Sequence, residues 1–167
     1  MPKKLLEGNE QFVSSFKNKE LLKELAKGQH PKAIVITCSD SRVVPELIFS
    51  QTFGDIFVIR TAGNVINEGE LASVEYGIEH LHVPLVVILG HTHCGAVHAA
   101  IKNEKGQYLD PILNRIKKNI VNICDEKEAS KANALSEVRY IKKMFPNYTG
   151  EVVAMLYDLD KNRAEII

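Results

Sequence analysis

The sequence predicts an α/β fold: a mostly parallel central β-sheet flanked by helices, with an N-terminal helical extension and a C-terminal strand pair. Three observations carry that expectation. The apolar runs AIVITC at 33–38, IFVIR at 56–60 and LVVILG at 85–90 lack helical periodicity and read as strands, the first and last of them buried on both faces. Segments with apolar residues at helical spacing lie between and after them. Strands that alternate with helices imply parallel neighbours joined by right-handed crossovers.

In chain order, LLEGNEQFVSSF and then LLKELAKG read as one or two helices outside the alternation, an arm over residues 1–28 suited to packing on a neighbouring subunit. After the first strand, PELIFSQ from Pro45 has helical spacing, as do GELASVEYGIEHL from Gly69, the stretch from Gly95 into HAAIK, and PILNRIKKNIVNI from Pro111. ALSEVRYIKKMF at 134–145 is a further helix. EVVAMLYDL and KNRAEII close the chain as a strand pair turned at Lys161 and Asn162. With no repeat, low-complexity tract or long linker, residues 1–167 are expected to form one domain, and 45% hydrophobic residues suffice for its core.

Composition narrows the function classes. Basic and acidic side chains balance at 21 each, so no basic stripe points to nucleic acid, and a small neutral substrate fits better than a polyanion. MPKKLLEGNEQF has too short an apolar run for a signal peptide, and no segment approaches the roughly 18 to 20 apolar residues of a membrane span. A cytoplasmic location is the expectation. Three cysteines cannot all pair as disulfides, so metal binding or burial is the better prior for each. AGNVINEG lacks the GxGxxG spacing and no P-loop lysine appears, which argues against a nucleotide site.

Ligands of open parallel sheets sit beyond the carboxyl ends of the strands, and the chemically richest residues of this chain lie there. The first group is Cys38-Ser39-Asp40-Ser41-Arg42. If the chain stays extended, Cys38, Asp40 and Arg42 fall on one side, and the arginine keeps the aspartate ionised and aimed. Alone, this motif fits a buried strand cysteine beside a surface ion pair equally well. The second group, Gly90-His91-Thr92-His93-Cys94-Gly95, decides between them. A His and a Cys three apart across a strand-to-helix turn can close on one ion, and with Cys38 they give two thiolates and one imidazole with no fourth ligand, the pattern of a catalytic zinc site with an open position. His91 is preferred to His93, whose neighbour Cys94 takes the inward direction. Two thiolates cancel the charge of the ion, so the Asp40–Arg42 pair is needed to tune bound water. His98, His30, His80 and His82 read as ordinary histidines, and Cys124 as a buried or half-buried thiol late in a helix.

These residues resemble the β-class carbonic anhydrases. The matching blocks are CSDSRVVPELIF at 38–49, FVIRTAGNV at 57–65, SVEYGIEHL at 73–81 and GHTHCGAV at 90–97, with looser echoes in LLEGNEQF and VVAMLYDL. The resemblance implies one Zn2+ per chain on Cys38, His91 and Cys94, a catalytic dyad of Asp40 and Arg42, and Asp40 as the fourth ligand when the site is closed. It places Gln29, Phe57 and Tyr76 in the substrate cleft of the plant-like branch and Gly95 at the substrate edge of the site.

The resemblance also implies a homodimer, or a dimer of dimers, because the family's cleft is completed across a subunit interface. The expected activity is that of a lyase, the reversible hydration of carbon dioxide to bicarbonate and a proton. Asp40 would orient the attacking hydroxide, Phe57 and Val65 would wall the substrate, and His93 is a candidate proton carrier. Two rivals stand beside this reading: hydrolysis of carbon disulfide or carbonyl sulfide on the same scaffold, and a non-catalytic protein that binds zinc and bicarbonate. The region from Asn103 to Lys131 matches no motif of the family.

Overall fold

A computed structural model describes residues 1–167. The strands β1 (Ala33–Cys38), β2 (Ile56–Thr61), β3 (Leu85–His91), β4 (Glu151–Asp158) and β5 (Arg163–Ile166) form one sheet in the spatial order β2, β1, β3, β4, β5. The first four are mutually parallel, and β5 returns antiparallel to β4. All six residues of β1 are buried, as a central strand covered on both faces requires.

The helices are α1 (Pro2–Ser15), α2 (Lys19–Leu25), α3 (Pro45–Ile48), α4 (Glu68–Glu75), α5 (Gly95–Ile101), α6 (Asp110–Asn119) and α7 (Glu126–Met144). α4 begins in a capping box in which the Glu70 carboxylate accepts the Asn67 N–H at 2.9 Å, and it widens into a π turn over Tyr76–His80. α7 starts eight residues before the apolar pattern at 134–145 shows it. Its first turns, EKEASKAN, have strong helix formers but little apolar periodicity, and the Asp125 side chain caps them by accepting from the Glu128 N–H at 2.9 Å. No helix is long and apolar enough to cross a membrane.

The two faces of the sheet are covered unequally. On one, Ile34, Ile36, Val86, Ile88, Val152 and Ala154 pack against α4 and α7 in a buried cluster. At the carboxyl end of that face, Cys38, Val65 and Cys94 pack with Val97, Leu113 and Ile116 of α5 and α6. The other face carries Val35, Val87 and Leu89 under little more than the single turn of α3, where Leu47 and Phe53 stay exposed. α1 buries no residue; its Phe12, with Phe16 just past its end and Phe53, forms a small aromatic group with ring centroids 5.5 to 5.6 Å apart.

Candidate metal centre

Adjacent parallel strands end side by side, so β1 and β3 deliver Cys38 and His91 to one place, and the turn after β3 returns Cys94 to it. All three are buried, and one donor atom from each lies within 4.8 Å of the other two. The Cys38 and Cys94 sulfurs are 4.0 Å apart. A tetrahedral site with Zn–S of about 2.3 Å needs its sulfurs about 3.8 Å apart, close to what is found.

His91 supplies the test of whether the cluster suits a cation. Its Nδ1 lies 2.8 Å from the Thr92 carbonyl oxygen. A carbonyl only accepts, so Nδ1 carries the proton and Nε2 presents a lone pair. That Nε2 is buried without a hydrogen-bond partner. An orphaned acceptor beside two sulfurs is costly in a protein interior unless something electrophilic meets it, and a divalent cation fits that role. The loop is held from behind: the Thr92 N–H donates to the Tyr157 carbonyl at 3.0 Å, and the Thr92 hydroxyl accepts from the Leu159 N–H at 2.9 Å.

The two sulfurs are close enough for one S–H to donate to the other. A hydrogen bond from Cys94 holds the Cys38 thiol well below its usual range, with smaller help from the Gly63 and Asp40 amides, while the same pairing and burial push Cys94 up. The Gly63 N–H donates to the Cys38 sulfur at 3.2 Å. Gly63 has φ +66°, and a Cβ there would lie 2.7 Å from Ile116 Cδ1, so the turn that aims this donor requires glycine.

Asp40 and Arg42 meet by a route different from the expected one. The chain leaves extended geometry after Cys38 and turns at Ser41 and Arg42. The Asp40 Oδ1 accepts the Arg42 backbone N–H at 2.9 Å and Nε at 3.0 Å, while Oδ2 accepts Nη2 at 2.8 Å. An aspartate that can bond the amide two residues on favours this turn over continued strand. The Arg42 side chain holds the carboxyl well below the usual carboxylate range, so it is ionised at every ordinary pH. Its Oδ2 lies 4.0 Å from His91 Nε2. Arg60 fixes the loop from the neighbouring strand, donating to the carbonyls of Cys38, Asp40 and Val43 at 3.2, 2.7 and 2.8 Å.

The pocket residues are divided. Gly95 begins α5 directly after Cys94, and Val65 packs among the residues around Cys38. Phe57 pairs in register with Ile34, four residues before Cys38 on β1, which is about 13 Å away at strand rise. It packs with Tyr76 at 6.2 Å between centroids, and Gln29 is exposed ahead of β1. Within one chain, these three are not brought to the cluster. His93 is exposed, its ring 2.8 Å from Asp160, and its backbone carbonyl accepts from Arg42 at 3.1 Å. His98 pairs with Glu126 at 2.6 Å. Cys124 is exposed, contrary to expectation, because α6 stops at Asn119 and leaves it in a loop.

The family model for carbonic anhydrase matches residues 33–163. The chain belongs to the carbonic anhydrase family. Its fold is that of the β class: it superposes on the tetrameric β-carbonic anhydrases of Sordaria macrospora with a TM-score of 0.84 at 27% identity, covering 99% of this chain and 95% of the other. The β-carbonic anhydrase CafA of Aspergillus fumigatus gives a TM-score of 0.81 at 30% identity, over 99% of this chain and 89% of the other. Carbonic anhydrase 2 of Mycobacterium tuberculosis is 43% identical over 129 residues, 71% of this chain and 62% of the relative. The carbonic anhydrase of Synechococcus elongatus is 46% identical over 119 residues, 66% of this chain and 44% of the relative. The chain thus spans about half to two thirds of the length of these relatives.

Proposed function

We propose that the chain holds one zinc ion with Cys38, His91 and Cys94 and catalyses the reversible hydration of carbon dioxide to bicarbonate and a proton. The observation that carries this reading is the unpartnered, buried Nε2 of His91, which faces two sulfurs and lies 4.0 Å from a carboxylate. Zinc, when bound, supplies the Lewis acidity that makes hydroxide available from water near neutral pH.

The remaining work falls to the chain's own residues. Asp40, ionised and clamped by Arg42, accepts a hydrogen bond from the hydroxide nucleophile and so turns a lone pair toward carbon. A carboxylate with no proton to give favours an oxygen that still carries one, which selects hydroxide in the right orientation. With both its oxygens engaged by Arg42, the Asp40 carboxylate would stay with the arginine and would not itself serve as a ligand to the ion. Val65 supplies an apolar wall for a substrate with little to hydrogen-bond.

The separation of Gln29, Phe57 and Tyr76 from this cluster supports a dimer as the working unit, with a second copy bringing its own cleft residues to the site. The arm α1, which buries nothing, and the thinly covered sheet face supply apolar surface for that contact.

The test is metal analysis with a carbon dioxide hydration assay. The wild-type chain is expected to carry one zinc and turn over carbon dioxide. Asp40→Asn keeps the zinc and loses activity by about 10²-fold or more. Full activity in that variant removes Asp40 from the mechanism, and absence of bound zinc in the wild type removes the reading itself.

A further inference from the structure

The least expected feature of the interior is a carboxylate with no part in the chemistry above. Glu137 of α7 is wholly buried. Its two oxygens accept from Arg115 of α6, Oε1 from Nε at 2.9 Å and Oε2 from Nη2 at 2.8 Å, and the guanidinium in turn lies 4.0 Å from the Tyr140 ring centroid. A buried pair of this kind is weak evidence of stabilisation, since apolar residues of similar volume often do as well, so its place in the fold asks for another account.

The hydrogen bonds that leave Glu137 lead toward the metal centre. Both carboxylate oxygens are acceptors for Arg115, so neither donates, and Asn119 must present its amide nitrogen, which it does at 3.0 Å to Oε1. The same nitrogen donates to Asn133 Oδ1 at 2.9 Å. Asn133, also wholly buried, is left with its nitrogen facing the other way, and it donates to the Gly63 carbonyl at 2.8 Å. Each donor sense follows from the one before. The chain of bonds ends on the residue whose N–H donates to Cys38 at 3.2 Å.

We infer that Asn133 is a positioning residue for the metal centre: oriented by Glu137 through Asn119, it holds the Gly63 carbonyl and thereby limits rotation about the Gly63 backbone, so that the N–H on the other side of its Cα stays aimed at the Cys38 sulfur. The inference rests on the reading of Cys38 as a metal ligand. Gly63 needs such a clamp because glycine, which has no side chain to pack, has wide backbone freedom around its φ of +66°. An amide donor to a thiolate lowers the charge on sulfur and holds the ligand in place before the ion arrives, and partners of this kind typically set metal affinity by about 10- to 100-fold.

The experiment compares Asn133→Asp, which keeps the shape and loses the donor, Asn133→Ala, and Asn119→Ala, which frees the Asn133 amide to turn. Val138→Ala, in the same helix but packed in the other buried cluster, is the control for loss of stability alone. Two readouts are taken on folded protein: the rate at which excess chelator removes zinc, and the sulfur-to-cobalt charge-transfer band of the cobalt-substituted chain. Zinc release is expected to quicken by about tenfold in the Asn133 variants, by less in Asn119→Ala, and not at all in Val138→Ala. The cobalt band is expected to move to lower energy where the sulfur has lost its donor, while the Val138→Ala band stays in place.

If Asn133→Asp does not fold, Asn133→Ala and Asn119→Ala carry the comparison. Wild-type release rates and an unmoved band in the folded Asn133 and Asn119 variants overturn the inference. Failure of the wild-type chain to bind zinc overturns the reading beneath it instead, so the two failures are told apart.

Discussion

The carboxyl and amino ends of the sheet are finished to different degrees. At the carboxyl end, Cys38, His91 and Cys94 are buried together, with Asp40 and Arg42 beside them and Arg60 tying the loop down. At the amino end, Phe57 and Tyr76 lean on each other, Gln29 is exposed, and none of them reaches the cluster that the family resemblance assigns them to. The difference teaches that holding the ion and holding the substrate are separable tasks. On the proposed reading, the first is complete within one chain and the second waits for a second copy.

The largest test of that division is Cys94→Ser. It removes a proposed ligand from the finished end, so zinc and turnover are expected to disappear together in every assembly state, measured by metal analysis and the hydration assay; retained zinc breaks the assignment. Asp40→Asn, described above, is next, with zinc kept and turnover lost. Deleting residues 1–16 should have a smaller and different effect. α1 buries nothing in its own chain, so the core and the zinc content are expected to stay while sedimentation shows loss of the dimer and turnover falls by about tenfold. Undiminished activity from a monomer would show that the cleft needs no partner. Smallest is Phe57→Ala, expected to raise KM by about threefold with kcat and zinc little changed, as befits lost apolar contact with substrate.

Most of this architecture is legible in the sequence for simple reasons. A strand buried on both faces must be apolar throughout, so AIVITC and LVVILG announce themselves, and their ends mark where ligands gather. The spacing of His91 and Cys94 across a turn is itself a ligand signal. The turn at Asp40 was less legible, because alternation assumes an extended chain and the aspartate's own side chain bends it. The early start of α7 was hidden because helix formers without an apolar stripe give no periodicity. The polar chain through Asn119, Asn133 and Glu137 was hidden for a related reason. Its only local trace is that Asn133 and Glu137 lie four apart on the helix face that also carries the buried Ala129, Ala134, Val138 and Ile141, where polar side chains are out of place.

The two central strands carry a consequence for how the molecule can be counted. Thr37 of β1 pairs with Leu89 of β3, so Cys38 and His91 leave their strands one and two steps beyond the same pair. A slip of one residue between these strands would turn Cys38 to the opposite face of the sheet and part the donors. An ion held there works as a staple across the middle of the sheet, and it can close only on a chain whose strands are in the right alignment. The metal content of a preparation, on this view, is a census of its correctly registered molecules.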